Sequence, residues 1–81
     1  MRVTVKLFAR LREIAGADTL DREVAAGSSV ADVWQSLVHD FPGFSVFEST
    51  ISAARNAEYT RMTTAVSEGD EVAFLPPVSG G

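Results

Sequence analysis

The sequence predicts a two-layer α+β domain, a mixed sheet packed against one main helix, and three observations predict it. Short segments near both ends alternate apolar and polar residues, a single long amphipathic helical pattern lies between them, and a continuous apolar run precedes a Pro-Pro pair near the end. A helix striped on one side, with no helix of similar length to pair with, can bury its stripe only against a sheet. With 81 residues, 46% of them hydrophobic, the chain supports one domain, residues 1–81, around one modest core.

The elements follow in order. Arg2 to Phe8 puts Val3, Val5 and Leu7 on one face and Arg2, Thr4 and Lys6 on the other, the period of a half-buried strand. Ala9 to Ala15 is rich in good helix formers and is followed by Gly16, which readily takes the left-handed conformation that ends a helical turn. Thr19 to Val24 alternates again and predicts a second strand paired with the first. Ser29 with Asp32 three residues on resembles a capping box, and Val30, Val33, Trp34, Leu37, Val38 and Phe41 then recur at helical spacing until Pro42-Gly43 stops the helix. Phe44, Val46 and Phe47 read as a loop or single turn tucked against the core. Ile51 to Arg55 and Glu58 to Arg61 predict two short strands joined at Asn56-Ala57, because Asn tolerates positive φ. Glu68-Gly69-Asp70 predicts a tight turn. Val72 to Leu75 is an unbroken apolar run, the pattern of a central strand covered on both faces. This order fits a β-grasp arrangement.

Composition narrows the chemistry. The formal net charge is −4 and the pI about 4.7, which disfavours nucleic acid, whose phosphates demand clustered positive charge. Cysteine is absent and Lys6 is the only lysine, so thiolate metal sites and a cysteine nucleophile on this chain are excluded. No apolar run approaches bilayer length and the opening residues lack the apolar stretch of a secretory signal, so the expectation is a cytoplasmic protein with no membrane partner. His39, in the last turn of the helix, has no second His or Cys nearby to complete a metal site. Trp34 and Phe41 belong to the core stripe, and Arg10 and Arg12 to the surface. Glu68, Asp70 and Glu71 read as a solvated turn. Without a Ser/His/Asp set, a phosphate loop or a metal-ligand cluster, the chain is not expected to be catalytic alone.

The tail carries the chemistry that remains. Pro76-Pro77-Val78-Ser79-Gly80-Gly81 follows the last strand, and the two prolines end the hydrogen-bond ladder and favour a stiff extended path. From Pro77 onward the chain can reach up to roughly 17 Å. Gly80 and Gly81 carry no side chains and can thread a channel too narrow for a Cβ. At ordinary glycine usage such a pair ends roughly one chain in two hundred by chance. A terminal carboxylate is a poor electrophile, but adenylation by ATP makes it a mixed anhydride that a sulfur nucleophile can attack, leaving a thiocarboxylate. That group is a soft nucleophile, reactive as its anion.

KLFARLREIAG (Lys6 to Gly16) and GDEVAFLPPVSGG (Gly69 to Gly81), with NAEY (Asn56 to Tyr59) as a weaker match, resemble the small-subunit family of molybdopterin synthase across the whole chain. The resemblance implies a ubiquitin-like β-grasp sulfur carrier that binds no cofactor. It implies that Gly81 is adenylated with ATP by a ubiquitin-activating-type adenylyltransferase, then thiocarboxylated with sulfur from a sulfurtransferase. It further implies that the tail enters the large synthase subunit of a heterotetramer, where two sulfur transfers turn cyclic pyranopterin monophosphate into the molybdopterin dithiolene. By motif match Ser79, Gly80 and Gly81 form the functional tail, and Phe8, Leu75, Pro76, Pro77 and Val78 the partner-facing surface. Arg55 departs from an apolar position of the family and Leu75 from a frequent aromatic. The alternatives are a modifier joined through Gly81 to lysines of other proteins, a carrier for a thiamine-type pathway, or an interaction domain with an inert tail.

Overall fold

The computed structural model describes residues 1–77; the expectations for Val78, Ser79, Gly80 and Gly81 lie outside the described residues. The first alternating segment forms β1 (Arg2–Leu7), with Val3, Val5 and Leu7 buried. Phe8 leaves the strand as the extended residue that opens helix α1 (Ala9–Ala15). The helix buries Leu11 and ends where Gly16 turns to φ 73° and donates its N–H to the Arg12 carbonyl at 2.9 Å. Strand β2 (Thr19–Glu23) returns antiparallel to β1 with Val5 opposite Leu20.

Helix α2 (Val30–Asp40) starts at the predicted box. Ser29 Oγ accepts from the Asp32 N–H and Asp32 Oδ2 accepts from the Ser29 N–H at 2.9 Å, so two otherwise orphaned amides are paired. Its buried stripe is Val30, Val33, Trp34 and Leu37. Pro42–Phe47 then forms a short 3₁₀ helix that presses Phe44 into the core, where its ring stacks on Trp34 at a centroid distance of 5.5 Å. Arg22 on β2 pairs with Asp40 at the end of α2 and lies over the Phe41 ring, and this guanidinium holds the Asp40 carboxyl below the usual carboxylate range.

Strands β3 (Ser52–Arg55) and β4 (Glu58–Thr60) form the predicted hairpin, and β5 (Glu71–Leu75) completes a sheet of order β2-β1-β5-β3-β4. The last strand is therefore central, parallel to β1 and antiparallel to β3, as expected of its apolar run. Coverage differs from expectation. Val72 and Phe74 are fully buried on the helix side, while Ala73 and Leu75 on the other face are only half-buried. One long helix can cover one face of a sheet, and among the described residues no element lies over the second.

Asp70, read from the sequence as part of a solvated turn, is instead 7% exposed. Its carboxylate accepts from Arg55 Nε at 2.6 Å, Asn56 Nδ2 at 3.1 Å and the Ser67 N–H at 2.7 Å, and Asn56 Oδ1 accepts from the Glu71 N–H at 2.9 Å. These bonds fasten the β3–β4 turn to the root of β5. They also match the charge of Arg55 with a buried acid.

The Arg55 guanidinium and the other donors hold the Asp70 carboxyl down to about 2 from the ordinary 3.8. The unfolded chain thus takes up this proton first on acidification. The stabilisation, about 2 kcal/mol from the size of the displacement, is complete above roughly pH 5 and disappears as pH falls from about 4 to about 2. Urea titrations should find Asp70→Asn less stable by about 2 kcal/mol at pH 7, with the gap closing toward pH 2; a gap constant with pH would contradict this account. The hairpin turn makes a separate prediction. Asn56 and Ala57 have φ of 50° and 72°, the signs of a two-residue turn that favours Asn-Gly. Ala57→Gly should raise stability by about 0.5–1 kcal/mol, strain relief outweighing the added freedom of the unfolded chain, which chemical denaturation would resolve.

Candidate functional site

The uncovered sheet face has a specific relief set by register. Lys6 lies opposite Ala73, Ala73 opposite Ala54, and Ala54 opposite Tyr59, so one row crosses four strands on the same face. Its two central members are alanines, too short to fill the space between their neighbours. The result is a shallow groove of about 340 Å³ floored by Ala54 and Ala73 and walled by Phe8, Leu75, Tyr59 and Ala57, with Lys6 and Glu71 as its charged groups.

The walls are unusually apolar for an open surface. Phe8 is 44% and Tyr59 79% exposed, and Leu75 is half-buried. Burying such side chains fully is worth about 1.5–3 kcal/mol each, so the face favours a covering protein surface. Backbone strain borders it on two sides. Ala9, directly after Phe8, has φ 51°, and Ala57 has φ 72°, a region that costs a residue with a Cβ about 1–2 kcal/mol. In exchange Ala57 adds a methyl group to the wall.

The structure brings Phe8 and Leu75 together, because the parallel pairing of Leu7 with Phe74 sets the next two residues side by side. Half-buried Pro76 and exposed Pro77 follow Leu75, one wall of this groove, at the end of β5. Val78, Ser79, Gly80 and Gly81 lie outside the described residues. Sequence reasoning did not identify Tyr59, Ala54, Ala57, Ala73 or Lys6 as part of this surface. The alternation of β5 and the two alanines were available as a signal, but which strands lie beside β5 was not.

Residues set aside in the sequence reading lie elsewhere. His39 is exposed near the end of α2 and Arg10 is paired with Glu13 on the surface at 3.6 Å. Trp34 is in the core, Phe41 is half-buried against it, and Asp70 is bound in the hairpin clamp. Among the described residues no cluster of three metal-ligating side chains occurs and no helix is long and apolar enough to cross a membrane.

Comparison with known proteins agrees with this frame. Residues 5–81 match the ThiS family. The molybdopterin synthase sulfur carrier subunit of Arabidopsis thaliana is 37% identical over 81 residues, covering 100% of this chain and 84% of the relative. Small archaeal modifier protein 1 of Haloferax volcanii is 38% identical over 94% of this chain and 97% of its own length. The crystal structure of SAMP1 from Haloferax volcanii superposes with a TM-score of 0.88 over 100% of both chains at 36% identity. A chain from the complex of subunits 1 and 2 of the Helicobacter pylori molybdopterin-converting factor shares the fold, with a TM-score of 0.70 at 20% identity over 100% of both chains. With a β-grasp sheet, an apolar face at the root of its C-terminal segment and family similarity running from residue 5 to Gly81, the chain belongs to the ThiS family of ubiquitin-like sulfur carriers.

Proposed function

We propose that the chain is the sulfur-donating subunit of a molybdopterin synthase and that its working group is the carboxylate of Gly81. The observation that carries this reading is the 37% identity to a molybdopterin synthase sulfur carrier subunit across all 81 residues. In this reading an adenylyltransferase of the ubiquitin-activating type uses ATP to convert the Gly81 carboxylate into an acyl adenylate. A sulfurtransferase supplies the sulfur that displaces AMP and leaves a thiocarboxylate. The large synthase subunit then receives the tail, and two such transfers convert cyclic pyranopterin monophosphate into the dithiolene of molybdopterin. The working assembly is a heterotetramer in the cytoplasm, and the reaction centre belongs to the large subunit.

The chain's own residues supply positioning. β5, bonded on both sides, anchors the root of the tail, and Pro76-Pro77 limits the directions in which it can leave. The face formed by Phe8, Leu75 and Tyr59 supplies apolar area for the large subunit. Ser79, Gly80 and Gly81 present little bulk to a narrow channel, with Val78 as the last large side chain before it.

A second reading has its own support in the 38% identity to a small archaeal modifier protein. There the activated Gly81 acylates lysines of other proteins, and the same adenylate serves both outcomes.

Intact mass analysis of protein isolated from its host should reveal a population with one oxygen replaced by sulfur at the terminus. Deleting Gly81, or adding one residue after it, should abolish dithiolene formation in a reconstituted synthase while leaving the thermal midpoint unchanged. Undiminished sulfur transfer by the extended chain would overturn the first reading. Isopeptide conjugates in host cells that vanish with Gly81 would favour the second.

A further inference from the structure

A chain whose end becomes an activated acyl group must coexist with its own amines, and this one has very few. Lys6 is the only lysine, every other basic side chain apart from His39 being arginine. Guanidinium groups stay protonated near neutral pH and do not compete as nucleophiles. The other amine, the α-amino group of Met1, donates to the Val24 carbonyl at 2.7 Å, lies 3.8 Å from Glu23 Oε2 and belongs to a residue whose side chain is 12% exposed. Lys6 differs on each count. It is half-exposed, makes no ion pair among the described residues and stands in the groove beside Phe8 and Ala73.

We propose that Lys6 is a modification site, the acceptor amine for the activated C-terminal acyl group of a second copy of this chain seated in the groove. The proposal rests on the reading that Gly81 becomes activated. The alanine floor leaves space for a segment without side chains, which Gly80-Gly81 provides, and Lys6 is the single cation of the groove, complementary to the phosphate of an acyl adenylate. In the reaction the Lys6 ammonium, drawn to the phosphate, first gives one proton to water, and the free amine so formed attacks the Gly81 carbonyl carbon. A C–N bond forms, the bond from that carbon to the phosphate oxygen breaks, AMP departs with the electron pair, and the nitrogen's proton passes to water. The product is an isopeptide-linked pair of chains, formed without oxidation or reduction. A partner that covers Phe8 and Leu75 also covers Lys6, so assembly and self-acylation compete for one face.

The test uses the full chain carrying a thioester at Gly81, mixed with isotopically labelled unmodified chain. No activating enzyme is present, so the result does not depend on whether the host adenylates Gly81; pyrophosphate exchange with the host enzyme and ATP examines that premise separately. The expected product is a mixed-isotope covalent dimer, mapped to Lys6 by tandem mass spectrometry. It should form about tenfold or more faster than the acylation of N-acetyl-lysine amide at equal concentration, as seating raises the local concentration. Lys6→Arg should abolish it. Ala73→Ile, a strand-compatible substitution that raises the groove floor, should slow it to the rate of the free lysine with the lysine still in place. Linkage at Met1, closure within one chain, a rate equal to that of free lysine, or a dimer that persists in Lys6→Arg would each overturn the proposal.

Discussion

The seat of β5 between β1 and β3 is the constraint on which the rest of the molecule depends. Its ladder bonds run to a parallel neighbour on one side and an antiparallel one on the other, which leaves the strand no freedom to slide. Because side chains alternate, the same register that buries Val72 and sets Phe74 against Trp34 turns Ala73 and Leu75 outward. A slip of one residue would exchange these sets and empty the core. The anchored end of β5, the groove and the outward-facing apolar residues are thus consequences of one pairing.

The Asp70 clamp extends that constraint to the outer strands. A buried carboxylate bound by a guanidinium, a side-chain amide and a backbone amide is satisfied on nearly every lone pair, the condition under which a buried charge stabilises rather than harms. It ties the Asn56-Ala57 turn to the start of β5, and so fixes where Tyr59 stands relative to Leu75. Charge in the interior here positions an apolar wall on the exterior.

Size explains why one face stays open. Among the described residues a five-stranded sheet has α1, α2 and one 3₁₀ helix to cover it, and all three bury their apolar residues in the same core. The uncovered side keeps an apolar relief that a monomer would otherwise have reason to avoid.

Much of this was legible in the residues. The capping box at Ser29 and Asp32, the stripe from Val30 to Leu37, the alternation of β1 and the stop at Gly16 are local, and local physical chemistry reads them directly. The motif carried by Lys6 to Gly16 and Gly69 to Gly81 likewise sufficed to indicate the family. Tertiary structure alone decided which residues meet across the sheet: that Asp70 is buried against Arg55, that Ala54 and Ala73 are neighbours, and that Lys6 shares a groove with Tyr59. Those pairings join segments far apart along the chain, and strand order depends on the packing of the whole core, whereas periodicity reports only what lies within a few residues of each position.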